Sequence, residues 1–303
     1  LEDKMLERLT KCPLCKSGRF LNSQEIKDYA VSKETFIICK CRSCGLKFTN
    51  PRPTAETIGP YYDFPEYYSH EDKVSNFTQL IYQKVRKYSV NQKVKLINRL
   101  VPHKGKILDY GCGTAEFLLA ANNDTWKVTG IEPNEKARKL GNSKLADQVF
   151  ESLDEIKAGK QFEVITLFHV LEHVHSLRKT VKKLIKHLKS TGYIIIAVPN
   201  YKSFDAKKYG NEWAGWDVPR HLYHLNESAL NAFEDIFKLE LVEKIPMVFD
   251  SYYVSLLSEG YRKPSQNVLA KYLKAFSSGY QSNQLAVKNQ ANHSSNIFIF
   301  KKR

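Results

Sequence analysis

The chain has 303 residues, 42% hydrophobic and 26% charged, a balance that supports a core of about 200 residues plus a smaller module and excludes disordered, collagen-like and coiled-coil proteins. Its formal net charge of +15 favours anionic partners, although Lys179, Lys182, Lys183, Lys186 and Lys189 recur mostly at helical spacing and read as a solvated face. No apolar run reaches the roughly 18 to 20 residues of a membrane span, and Leu1-Glu-Asp-Lys4 does not resemble a secretory signal, so the expectation is a cytoplasmic protein.

Five of the six cysteines, Cys12, Cys15, Cys39, Cys41 and Cys44, fall in the first 50 residues. Cys12-Pro-Leu-Cys15 and Cys41-Arg-Ser-Cys44 each bring two thiolates within reach of one ion, and strands between them can return the chain. Residues 1–60 therefore read as a zinc ribbon with a structural metal, in which Cys39 competes with Cys41 as a ligand. Disulfides are the alternative, disfavoured in a cytosolic chain. After Pro51 and Pro53, Tyr61, Tyr62, Tyr67 and Tyr68 form a cluster suited to core packing or to covering a ligand. The spacing of Phe77, Leu80, Ile81, Val85, Tyr88, Val94, Ile97 and Leu100 predicts helix, making 61–103 a Tyr-rich helical linker or lid.

Next, Ile107-Leu-Asp109-Tyr-Gly111-Cys112-Gly113-Thr-Ala115-Glu116 reads as a strand entering a glycine turn and then a helix. Gly111 and Gly113 let the turn tighten and a ligand approach the backbone, and the helix N-terminus offers free N–H groups. Val128–Ile131 reads as a second strand ending in Glu132-Pro133, with Glu132 placed to accept both hydroxyls of a ribose. A dinucleotide fingerprint would have glycine at 116. Here Glu116 and Asp109 put two carboxylates by the turn, which repel a pyrophosphate and suit a ligand with an ammonium and a sulfonium. S-adenosylmethionine carries both, and a ribose.

On these residues the chain resembles class I S-adenosylmethionine-dependent methyltransferases. Asp109 to Leu118 is similar to their first motif, Gly130-Ile-Glu-Pro133 to the second, and Phe162-Glu-Val-Ile-Thr-Leu-Phe-His169-Val-Leu-Glu172-His173 to the fourth. Ala115 replaces the usual third glycine, which predicts a tighter contact between helix and ligand. The resemblance implies an α/β, doubly wound Rossmann-like domain with a seven-stranded sheet over 104–303. It also implies that Ser152 and Leu153 lie against the adenine, and that Cys112, Pro133, Phe168, His169 and His173 join Asp109, Gly111, Gly113, Glu116 and Glu132 around the cofactor.

Strand five is expected at Gly192–Asn200, followed by a loop, Asn211–Leu225, dense in aromatic and ionisable groups and expected to face the sulfonium methyl. In it His221 is the candidate base, Arg220 the candidate fork for an anionic group, and Tyr223 and His224 are second choices. Pro219-Arg-His-Leu-Tyr-His224 resembles bacterial enzymes that modify sugars or cell-surface polysaccharides, as does the zinc module followed by Asn50-Pro-Arg-Pro53. That implies O- or C-methylation of a sugar, polysaccharide precursor or related small, anionic acceptor. RNA is the alternative partner and a non-catalytic binding module the third reading. His169, Glu172 and His173 at i, i+3 and i+4 would share a helical face and, with His221, could hold a second, divalent metal. The set is similar to the Glu-x-x-Glu-His motif of small-RNA 3′-terminal and ubiquinone-pathway O-methyltransferases, and such a metal favours a vicinal diol or catechol. Helix is predicted over 226–237, strands over 239–248 and 296–301, and a helical insertion covering the pocket at about 250–293.

Overall fold

The computed structural model of the chain describes residues 5–63, 77–288 and 292–303, with side chains in the first helix from residue 83 onward. Runs of β-branched and leucine residues bounded by glycine and polar turns form the strands of the main sheet, the central ones buried on both faces as a parallel sheet between helical layers requires, and the edge strand Leu239–Pro246 half-buried or exposed along most of its length. These are β6 (Lys106–Tyr110), β7 (Lys127–Ile131), β8 (Val149–Phe150), β9 (Phe162–Phe168), β10 (Leu188–Pro199), β12 (Leu239–Pro246) and β13 (Ser295–Lys302). They lie in the order β12-β13-β10-β9-β6-β7-β8, with β13 antiparallel to both of its neighbours. The chain thus winds outward both ways from β6, and the seven-stranded, doubly wound sheet is as the sequence implies.

Helices α1 (Phe77–Leu100), α2 (Glu116–Asn123), α3 (Glu135–Leu145), α4 (Leu177–Lys186), α5 (Phe204–Tyr209) and α6 (Glu227–Phe237) surround the sheet. Asn226 caps α6 by accepting from the Ala229 N–H at 2.9 Å. The predicted insertion forms α7 (Asp250–Arg262) and α8 (Val268–Lys288). They approach closely at Gly279, where a Cβ would stand 2.6 Å from the Tyr252 ring. A helix starting directly after β9 is not found. His169 turns left-handed (φ 57), residues 171–173 form one 3-10 turn, and α4 begins only at Leu177.

The N-terminal strands β2 (Phe20–Lys27), β3 (Thr35–Cys41) and β4 (Lys47–Thr49) form a second sheet, and β1 (Leu6–Glu7) pairs with β5 (Arg52–Pro53). Its fourth strand comes from far along the chain: β11 (Tyr223–His224) pairs antiparallel with β4, Tyr223 opposite Phe48. Polar ties reinforce the seam. Thr49 Oγ1 donates to the His221 carbonyl at 2.8 Å, and the Arg178 guanidinium donates to the Leu14 carbonyl at 2.7 Å.

Candidate active site

The carboxyl tips of β6, β7 and β9 meet around the glycine turn. Both turn glycines have positive φ, 77° at Gly111 and 55° at Gly113, but for different reasons. A Cβ on Gly111 would stand 2.5 Å from Val170, whereas one on Gly113 would meet nothing within 4 Å. Gly111 is thus a packing glycine, and Gly113 fronts the open space a ligand needs. Glu132 is held over the turn, accepting from the N–H groups of Gly113 and Asn134 at 2.8 Å each. Asp109 is buried, and burial pushes its pKa up to about 6 despite a 2.6 Å hydrogen bond from Thr166 and the nearby Lys93 ammonium. Lys93 projects from α1 to 4.0 Å from the Phe168 ring, which packs edge-on against Phe117. Beside it, His169 Nε2 lies 3.1 Å from Asp250 and Nδ1 3.5 Å from Glu172. Burial alone would keep this imidazole neutral, but the two carboxylates overcome it and push its pKa up to about 10.

Other positions around the turn serve packing. The Glu116 carboxylate is paired with Lys144 and lies 3.8 Å from Arg86, so the free acidic pair of the cleft is Asp109 and Glu132 rather than Asp109 and Glu116. Cys112 packs on Gly130, where a Cβ would come within 2.6 Å of its sulfur. Ala115 adopts φ 62° and packs beside Gly141 of α3, so its methyl tightens a contact between helices and not one with a ligand. Pro133 is exposed, with its carbonyl accepting from Arg138 at 2.8 Å. Ser152 caps the turn at 153–155 and Leu153 is buried.

Past β9, Glu172, His173 and His221 place one ligand atom each within 4.8 Å of one another. Glu172 is fully buried, and neither of its carboxylate oxygens has a hydrogen-bond partner among the described residues. The His173 and His221 rings pack edge-on, 4.7 Å apart. Each turns Nδ1 to a backbone carbonyl, Arg220 for His173 and Gly215 for His221, both at 3.0 Å. A carbonyl only accepts, so Nδ1 carries the proton and Nε2 is left to take a ligand. Burial and the His221 charge lower the His173 pKa to about 4. Tyr62 reaches this cluster, its hydroxyl 3.0 Å from His173 Nδ1, while Tyr61 is buried and donates to Glu34; Tyr67 and Tyr68 lie outside the described residues. His169 belongs with Asp250 rather than with the shared helical face the sequence predicts, since that helix is replaced by a turn.

The remainder of the 211–225 loop is core. Arg220 is 2% exposed, bonded to Asp28 at 2.9 Å, Asp217 at 2.7 Å and the Tyr61 carbonyl at 2.8 Å. It locks the N-terminal sheet to the loop and is not presented to an acceptor. Burial opposes the Asp28 carboxylate, yet Arg220 holds its pKa below the usual range. Arg220→Met therefore strands two carboxylates, and urea unfolding should show about 3 kcal/mol of lost stability. Tyr223 is likewise committed, accepting from Arg52 at 3.0 Å and donating to the His175 carbonyl at 2.8 Å. His224 is buried against Trp216, and its pKa falls well below the usual value. Trp213 and Trp216 anchor the loop through Asp205 and the Gly210 carbonyl, each at 2.8 Å.

The cysteine sulfurs converge. Cys12 and Cys44, and Cys15 and Cys41, stand 3.6 Å apart, and all four lie within 4.8 Å of one another. Sulfurs about 2.3 Å from a tetrahedral zinc are about 3.8 Å apart, so the set fits that ion. Cys39 stands outside it, facing Asn22 and the Asn50 carbonyl. All six cysteines are free thiols.

Lys93, Thr166 and Asp250 were missed by the sequence reading. Thr166 lies within the fourth motif, opposite Asp109 across β6 and β9. Lys93 is one of many lysines on a long helix, and nothing local to Asp250 marks it.

A family model describing a methyltransferase domain matches residues 82–243. The ubiquinone biosynthesis O-methyltransferase of Rickettsia canadensis is 25% identical over 116 residues, 35% of this chain and 49% of that one. The carboxy-S-adenosyl-L-methionine synthase of Campylobacter hominis is 27% identical over 138 residues, 42% of this chain and 59% of that one. The chain spans about half the length of the curated relatives it matches. Among solved structures, a coclaurine N-methyltransferase bound to N-methylheliamine and SAH aligns with TM-score 0.46 and 12% identity, over 70% of this chain and 72% of that one. With its family model covering more than half of its length, the chain belongs to the methyltransferase-domain family.

Proposed function

We propose that the chain methylates a hydroxyl oxygen of a small-molecule acceptor, with Glu172, His173 and His221 as the acceptor-side residues. The observation that carries this is the wholly buried Glu172 carboxylate, which has the His169 imidazolium at 3.5 Å but no ordinary hydrogen bond among the described residues, and faces two imidazoles oriented by backbone carbonyls. A buried carboxylate left without hydrogen bonds is costly, so its surroundings are suited to a ligand that completes it. S-adenosylmethionine supplies the methyl from a sulfonium and leaves as a neutral thioether. Asp109 and Glu132 are the donor-side carboxylates, Glu132 for the ribose, and Gly113 leaves room for the donor; Ser152 and Leu153 remain the proposed adenine wall.

Two imidazole nitrogens and a carboxylate fit a divalent cation, which would supply Lewis acidity to an acceptor hydroxyl. The chain's own residues orient that hydroxyl; His221 Nε2, with its single lone pair, takes up the proton where no cation occupies it, and the second Glu172 oxygen would do so where one does. A vicinal diol or catechol presents the paired oxygens this cluster suits, in keeping with the O-methyltransferase names of the relatives; a sugar is one such diol. The four cysteines hold zinc as a structural ion. Glu172→Gln should lower turnover about a hundredfold on a diol or catechol acceptor while donor affinity, read by calorimetry, moves less than about twofold. Undiminished turnover in that variant, or a product methylated on nitrogen, would remove the cluster from the reaction.

A further inference from the structure

A groove of about 920 Å³ runs between the cysteine module and the tip of β10, away from Asp109 and Gly113. Its charged lining is Lys40, Arg42, Lys202, Lys207 and Lys244 against the lone carboxylate of Glu227. Basic residues outnumber acidic ones only 47 to 32 over the whole chain, so overall composition does not account for five to one. No carboxylate pairs with Lys40, Arg42, Lys202 or Lys207 among the described residues. Behind the groove, Lys47 sits 4.7 Å from the Tyr201 ring and 5.0 Å from Trp216, and Lys202 lies 5.7 Å from the same Tyr201 ring. Burial, with repulsion from Lys202 and Lys40, lowers the Lys47 pKa to about 8. The fold thus gathers these cations beside a single carboxylate, that of Glu227, and the edge of the cysteine site at Cys41 and Cys44.

Two further features narrow the ligand. The N-terminus of α6, at Asn226, Glu227 and Ser228, opens on the groove and adds the positive end of a helix dipole. Asn296, 1% exposed and also lining the groove, has an amide oxygen with no hydrogen-bond donor among the described residues. An amide oxygen wants a hydroxyl or N–H, which a bare inorganic anion lacks.

We infer that this groove binds a soluble diphosphate ester with a hydroxyl-bearing organic portion, its phosphates against Lys40, Arg42 and Lys202 and a hydroxyl or N–H on Asn296. The groove starts at the tip of β10, the strand beside β9, on the ligand-binding rim of an open sheet. None of Glu172, His173 and His221 lines it, so this assignment does not depend on the reaction proposed above.

Calorimetry of the zinc-loaded whole chain with uridine diphosphate, inorganic diphosphate and a single-stranded 20-nucleotide RNA tests it. Uridine diphosphate is expected to bind, with affinity falling as salt rises. The variant Lys40→Gln with Lys202→Gln should weaken it by about thirtyfold, and Asn296→Ala should weaken it more than it weakens inorganic diphosphate. S-adenosylmethionine affinity stays unchanged in both variants, which shows that they are folded. No binding of uridine diphosphate at millimolar concentration, equal affinity in the double lysine variant, or RNA as the tighter ligand lost in that same variant would each overturn the inference.

Discussion

Replacing Cys12 with serine, or removing the metal with a strong chelator, should lower the melting temperature by more than about 10 °C and abolish turnover. Binding of zinc to a four-sulfur site of this kind carries an apparent free energy of about 10 to 16 kcal/mol, a large term beside the core packing and polar ties that also hold the small sheet. The loss should spread along a defined route. The same sheet pairs with β11, anchors Arg220 through Asp28 and fixes the His221 carbonyl through Thr49, so the acceptor side is disturbed first. The donor cleft, built on β6, β7 and β9, should keep more of its affinity. Melting followed by circular dichroism, with metal analysis of the wild-type protein, checks this; unchanged melting in Cys12→Ser, or a purified protein without zinc, would sink the metal assignment.

Asp109→Asn should do two opposite things: raise the melting temperature of the donor-free protein and weaken S-adenosylmethionine binding about a thousandfold. The folded-state pKa of about 6 stands some 2 units above the unfolded value of about 3.9. A raised carboxylate pKa means that the folded state holds the proton more tightly. Its contribution to stability is fully present below about pH 4 and is lost as pH rises through 6, amounting to about 3 kcal/mol. Asparagine keeps an acceptor for the Thr166 hydroxyl without the buried charge, so that loss disappears at neutral pH. The cationic donor then lacks its buried counter-charge, the larger of the two effects for function. For the wild type, donor affinity should fall by up to about tenfold per pH unit below 6. Thermal shift with and without donor at pH 5 and 7.5 reads both effects, and a variant that binds normally would show that Asp109 does not face the sulfonium.

The sheet was legible because its strands are short apolar runs with glycine and proline punctuation, and the cysteine pairs because metal chemistry fixes their spacing. The loop at 211–225 misled for a physical reason. Its density of polar groups reads as an exposed reactive surface, but Arg220 finds its partner Asp28 192 residues away in the chain, a distance no local pattern encodes. His169 was placed on a helix because its spacing to Glu172 and His173 suits one. The left-handed turn that redirects it depends on the His169 N–H bonding to the Ala197 carbonyl of β10, a tertiary contact. Gly111 likewise looked like a ligand glycine, and its need is set by Val170.

The junction of β4 with β11 bears on how the protein is made. Residues 47–49 leave the ribosome about 170 residues before 223 and 224, so the β4 edge of the small sheet stays uncovered through most of synthesis. Until that edge is capped, it is an open template for a wrong partner strand. The lysine Lys47 on it, with Lys40 on the adjoining strand, gives the waiting edge a charge that discourages such pairing in the nascent chain.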